Sequence, residues 1–414
     1  VKDGDTVEHE VLRSVHGPVI RFDNGVAYAK KRAWDGRELQ NLLAWLYATW
    51  AGDWNEWKAQ AEKASINVNM YFADVHGNIG YFHGGWFPQR TPGHDNRLPV
   101  TGDGSMEWQG RQPVDTANPH VLNPSTGYLA NWNNKPGHGV MNPDFFFYSW
   151  SRADRVDFLH DALRSTETFT PGEAWAILDS SSHADVFAPY FLQAIDNALR
   201  DADSDVLRNA NATLQSWNMQ SRDDDGDGRY DEHATGLFRY FIAALIERTW
   251  ADDLGDVYPM FAASGYPSVG EPTGAGTNLP AAVKAIVEAI EGDAKYDPFN
   301  GVAVDEVIAD AMADATARIG DSLLPVAERP FSHRNFLGIP QADDSEARRL
   351  PHEQNRGTEN NMIVLRPGAI EGWEVTPPGQ SGFIAPDGRR SEHYDDQLDM
   401  YYQFGRKRTW FYSA

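Results

Sequence analysis

The chain contains no cysteine, so it holds no disulfide, no thiolate metal site and no Cys nucleophile. Lysine is scarce as well. The 36 basic residues are mostly Arg and face 60 Asp and Glu, giving a formal charge of −24 that repels a phosphate backbone and argues against nucleic acid as a partner. The acidic residues are spread along the chain, a pattern that fits salt adaptation and also serves plain solubility. No apolar run approaches the roughly 18 residues of a membrane span, and Val1-Lys2-Asp3-Gly4-Asp5 is unlike a signal peptide. No glycine-rich nucleotide loop follows a strand, and Gly270 to Gly276 reads as an ordinary loop, so no nucleotide cofactor is indicated. His76, His83, His94 and His233 lack the paired helical spacing of a zinc enzyme. Internal repeats and low-complexity linkers are missing too.

What is present suffices for a substantial core: 41% of the 414 residues are hydrophobic and 12% aromatic. Thr6 to Val15, Val19 to Phe22 and Val26 to Ala29, separated by His16-Gly17-Pro18 and Asp23-Asn24-Gly25, read as antiparallel strands. Helices are expected from about Arg37 to Thr49 and from Trp54 to Ala64, then a hairpin of Ile66 to Asp74 and Ile79 to Phe82 around Gly77-Asn78. Gln89 to Asn142 is rich in Pro, Gly and Asn, the composition of long ordered loops where sites tend to sit. From Ala153 to Ile319 the apolar spacing is helical, with Val304, Val307, Ile308, Ala311, Ala315 and Ile319 on one face. Strands return at Met362 to Leu365 and Trp373 to Thr376, and a last helix fits His393 to Phe404. The class is α+β, read as one unit over 1–414: strands and site-bearing loops in 1–150, mainly helix in 151–330, returning strands and a C-terminal helix in 331–414. Strands at both ends suggest one sheet completed by sequence-distant segments.

Asn69-Met70-Tyr71-Phe72-Ala73-Asp74-Val75-His76-Gly77-Asn78-Ile79-Gly80-Tyr81, Gly127-Tyr128-Leu129-Ala130-Asn131-Trp132-Asn133-Asn134 and Gln354-Asn355-Arg356-Gly357-Thr358-Glu359-Asn360 are distinctive together. With Lys31 to Gly36, Gly93 to Pro99 and Pro378 to Gly388 in the same order, the chain resembles the penicillin acylase family nearly end to end. That resemblance implies an N-terminal-nucleophile hydrolase with an α/β/β/α sandwich, incomplete in this chain. It implies a precursor that cleaves itself into α and β chains, and a freed N-terminal Ser on the β chain that attacks an amide with its own amino group as base. The family's β chain begins roughly a hundred residues before the point matching Val1. Val1 has no hydroxyl or thiol, so the nucleophile is expected upstream, the chain alone is expected to be inactive, and the α chain and the rest of the β chain are the expected partners.

The resemblance places Asn133 as the side-chain donor of the oxyanion hole and Arg155 as the arginine that organises the site. Taken alone, the first would be a loop-capping Asn and the second a surface Arg at a helix start. Trp45 and Val68 match positions lining the acyl pocket, although either also suits a plain core position. Asp144 matches a calcium-ligating aspartate, and Asn96 a position that ligates through its carbonyl. Outside the resemblance, Asp223, Asp225 and Asp227 occupy positions 1, 3 and 5 of a calcium loop with Gly228 at the sixth. Ala234 holds the twelfth place, so Asp231 or Glu232 would have to close a shorter loop.

The expected activity is hydrolysis of a side-chain amide through an acyl-enzyme, with structural calcium, in a periplasmic or extracellular protein. Two alternatives stand beside it: an N-acyl homoserine lactone or fatty-amide acylase, and a non-catalytic calcium-binding relative or truncated gene product.

Overall fold

A computed structural model of the protein describes residues 5–96, 98–140, 150–259, 281–326, 329–331, 348–350, 354–357 and 359–411. Its contacts divide the chain into two compact units. The first comprises Val1–Leu129, Lys135–Asp144 and Leu365–Gly368; the second comprises Ala130–Asn134, Phe145–Val364 and Ala369–Ala414.

The first unit opens with the antiparallel strands Arg13–Ser14, Gly17–Asp23 and Val26–Ala29. The last two are joined by Asn24 at φ 48° and Gly25 at φ 78°, the left-handed pair that a two-residue hairpin turn requires. At Gly17 (φ 113°) a Cβ would sit 2.3 Å from the Lys30 carbonyl oxygen, so only glycine lets the strands approach there. The expected strand from Thr6 shrinks to Arg13–Ser14: Val7 and Val11 are exposed, and among the described residues no ladder partner takes up their backbone groups.

Helices Glu38–Ala48 and Trp54–Ala61 follow where expected, the second capped by the Asp53 carboxylate accepting the Glu56 amide at 2.9 Å. Trp54 and Trp57 stack at 5.3 Å, and Phe72 closes on both. Phe72 lies on the strand Asn69–Ala73, which pairs with Ile79–His83 in the register Asn69 to His83. The Asp74 carboxylate accepts the amides of His76 and Asn78, closing the turn at Gly77 (φ 89°). His120–Leu122 adds a third strand.

The second unit is built around the helix His233–Leu254, whose inner turns are buried almost all round. Packed on it are Asp205–Gln215, Ala281–Ile290 and Val304–Ile319, and Ala188–Leu199 lies against these three and sends Phe191 onto Phe238 and Phe241. In the last, Ile308, Ala311, Met312, Ala315 and Ile319 are buried, so the stripe seen in the sequence is the core face. Pro171–His183 begins with a full capping box between Thr170 and Glu173.

Strands return as Asn360–Arg366, Ala369–Val375 and Lys407–Thr409, in a sheet with Ala369–Val375 at its centre. Arg329–Phe331 pairs with Arg348–Leu350. Among the described residues the ladders join strands within one end of the chain, so the single sheet shared by both ends is not formed by them. The last helix is Leu398–Tyr402, shorter than expected at its start. There the chain serves as a loop instead: the His393 carbonyl accepts the Ser381 amide and the Gln397 side chain accepts the Thr376 amide. Strands and helices occupy separate runs, which is an α+β architecture.

Candidate active site

In the second unit, Asn131 to Asn134 forms a tight polar turn. The Asn134 side-chain oxygen accepts the Trp132 amide at 3.0 Å, and Asn131 accepts the Asn133 amide at 3.3 Å. Asn133 is thereby held at φ 64°, a left-handed conformation that asparagine tolerates better than most side chains. The indole of Trp150 donates to the Asn133 carbonyl.

Arg155 sits just before the helix Val156–Arg164 and is 7% exposed. Its fork reaches three oxygens: Nη2 to Asn133 Oδ1 at 2.8 Å, Nε to the Trp132 carbonyl at 3.2 Å, and Nη1 to Asn355 Oδ1 at 3.0 Å. The guanidinium also lies 4.6 Å from the Trp132 ring centre. A guanidinium only donates, so it selects the oxygen of the Asn133 amide and turns the NH2 end away from itself. Asn133 is exposed among the described residues, while its side-chain oxygen is held by a buried, charged support. The two residues expected to act together are therefore together.

Asn355 joins this hydrogen-bonded group although the sequence does not mark it by itself; it lies in one of the motifs that carry the resemblance. It is buried, its amide donates to the Ser182 carbonyl at 2.7 Å, and its neighbour Arg356 is held between the rings of Tyr401 and Phe404. A lone Asn offers no periodic or spacing signal, so only the spatial link to Arg155 reveals its part.

Trp45 and Val68 belong to the first unit. The buried side chain of Asn41 accepts the amides of Ser65 and Ile66, tying the helix Glu38–Ala48 to the segment that leads into Val68. Trp45, one turn beyond Asn41 on the same face, is 42% exposed, while Val68 is half-buried against Gly84. Asn96 is half-buried in a loop; Asp144 lies outside the described residues. A cleft of about 460 Å³ in this unit, lined by Arg13, His16, Arg32, Arg37, Trp86 and Trp108 among others, has no counterpart in the sequence expectations.

The acidic loop of the second unit is well formed. Carboxylate oxygens of Asp223, Asp225 and Asp227 lie within 4.8 Å of one another, with Gly226 and Gly228 at φ 72° and 84°. Asp223 is 4% exposed and accepts the amides of Asp227 and Gly228; burial raises its pKa above the usual carboxylate range. Asp231 turns onto the Asp224 amide. The loop is anchored where the Tyr230 amide donates to the Leu324 carbonyl and the Val326 amide to that of Gly228.

An asparagine side chain whose oxygen is fixed by a buried guanidinium presents a pre-oriented N–H donor, a kind of group that can steady a developing negative charge on oxygen. The sequence signature of the penicillin amidase family spans residues 1–414, and the chain belongs to that family. It is 38% identical over 432 residues to penicillin G acylase of Escherichia coli, an alignment covering 99% of this chain and 51% of that protein. The chain thus spans about half the length of that relative. Among solved structures it is similar to a thermostable penicillin G acylase from Alcaligenes faecalis, with 33% identity, a TM-score of 0.89, and coverage of 99% of this chain and 76% of that one.

Proposed function

We propose that these residues are the supporting part of an amidase that cleaves a side-chain amide through an acyl-enzyme. The nucleophile is an N-terminal Ser carried by family polypeptide outside residues 1–414. Its Oγ attacks the amide carbonyl while its own amino group takes the proton; the amine leaves, and water then hydrolyses the ester. Asn133 Nδ2 donates to the oxyanion, a contact whose removal costs on the order of a hundred- to a thousandfold in rate. Arg155 keeps that donor aimed. Trp45 and Val68 receive the acyl side chain. The observation that carries this reading is the 2.8 Å contact from Arg155 to Asn133, which determines the free end of the amide.

Calcium is the ion we assign to Asp223, Asp225 and Asp227, whose hard carboxylate oxygens suit it, with Asp231 or Glu232 to close the loop; Asn96 and Asp144 are candidate positions of a separate calcium site implied by the family resemblance. We place the protein outside the cytoplasm with an α chain as partner, and we expect the chain by itself to lack turnover.

The test is expression together with the remaining family polypeptide, N-terminal sequencing of the mature chains, and kcat/KM for phenylacetyl and straight-chain acyl amides. Turnover that favours phenylacetyl supports the reading. Preference for long straight acyl chains by about tenfold or more would transfer it to the fatty-amide class. No turnover from the assembled protein would refute it.

A further inference from the structure

We propose that Lys284 is a positioning residue for the Arg155–Asn133 pair, acting through Asp154 with Tyr190 completing the clamp; the inference rests on the amidase reading of that site.

Lys284 projects from the helix Ala281–Ile290 at 6% exposure, in a row with the core residues Val283, Ile286 and Val287. Its Nζ lies 3.4 Å from Asp154 Oδ2. Burial lowers the Lys284 pKa, and the Arg155 charge acts the same way while Asp154 opposes both. A buried ion pair is seldom more stabilising than apolar side chains of the same size, so stability does not account for this one. Placement does.

Asp154 is the residue before Arg155, and the surroundings hold it at every polar atom. Its amide donates to Tyr190 Oη at 2.9 Å, and the same hydroxyl lies 2.8 Å from the Asp154 carbonyl and against the Asp157 carboxylate. Its Oδ1 accepts the Val156 amide at 3.1 Å, an Asx turn just ahead of the helix Val156–Arg164. Its remaining carboxylate oxygen takes Lys284. With its preceding residue pinned on four sides, the Arg155 backbone has little freedom, and the long side chain reaches Asn133 from a defined origin. Displacement of such a support by about 1 Å commonly costs on the order of a hundredfold in rate.

The test uses the assembled full-length amidase. Lys284→Met is expected to lower kcat by about tenfold or more with KM within about twofold, and Lys284→Arg to restore most of it. In a crystal structure of Lys284→Met the Arg155–Asn133 contact, now 2.8 Å, should open beyond about 3.5 Å. Asp154→Asn combined with Lys284→Met removes both charges and should regain melting temperature without regaining kcat. A kcat for Lys284→Met within about twofold of the parent, or a double variant that regains both properties, overturns the proposal. Should Lys284→Met fail to fold, Tyr190→Phe decides: a kcat about threefold lower at unchanged KM supports the clamp, and an unchanged kcat sinks it. A parent without turnover defeats the amidase reading alone, and the crystallographic distance then decides the placement claim.

Discussion

Arg155 Nη2 lies 2.8 Å from Asn133 Oδ1, so the oxygen of that side chain is bound within the protein, and in the proposed reaction the nitrogen is the donor offered to the substrate. Asn133→Asp keeps the acceptor and removes the donor. We expect kcat to fall about a hundredfold or more while the melting temperature holds or rises. An Asn133→Asp enzyme with near-parental kcat would show that the amide donor plays no part.

Arg155→Lys tests the fork rather than the charge. Its three nitrogens reach Asn133, Trp132 and Asn355, and an ammonium on a flexible stem does not span all three. Loss of about 1–3 kcal/mol in unfolding free energy is expected, because the buried Asn355 oxygen and the partly buried Trp132 carbonyl lose charged donors. Denaturant titration of both proteins measures it.

Much of the scaffold is legible in the sequence because its elements follow local rules. The hairpin around Gly77, the two Trp-rich helices and the stripe from Val304 to Ile319 each carry a period or a turn residue that their neighbours enforce. The first strand and the start of the last helix depart from expectation because partners remote in sequence decide them: Ser381 and Thr376 claim the residues that would have opened the helix. For the site, Asn133 and Arg155 are picked out by motif resemblance, and the structure places them 2.8 Å apart. Asn355 and Lys284 give no signal in one dimension. An Asn 200 positions from Arg155 acquires meaning only when the helices pack.

The acidic loop makes its own prediction. Three carboxylates within 4.8 Å repel one another, with burial already disfavouring the charged form of Asp223, so a bound divalent cation relieves both costs. Adding calcium to the chelated protein should raise the melting temperature by several degrees at concentrations well above Kd. Asp225→Asn should reduce that gain. Equal melting temperatures with calcium and with chelator would leave the loop as a solvated acidic turn.

The imbalance of 60 acidic against 36 basic residues makes self-repulsion a standing cost at neutral pH. Screening shortens its range from about 10 Å at 0.1 M salt to about 3 Å at 1 M. Melting temperature should therefore rise between low and molar sodium chloride. A flat or falling curve would count against salt adaptation.

His83 contributes a pH-dependent term to the stability of the first unit. It is 8% exposed, hydrogen-bonded through Nδ1 to Asn69 at 2.9 Å, and burial depresses its pKa from 6.5 to about 4. In the unfolded chain the ring takes a proton as pH falls through 6.5, whereas in the folded chain it resists until about pH 4. Between those values the unfolded state binds more protons, so stability falls as pH falls, by about 3 kcal/mol over the whole window. His83→Gln removes the titrating group and keeps a polar partner for Asn69. The variant's unfolding free energy should be flatter than the parent's between pH 6.5 and 4, and parallel slopes would show that His83 is protonated in the folded protein as readily as in the unfolded one.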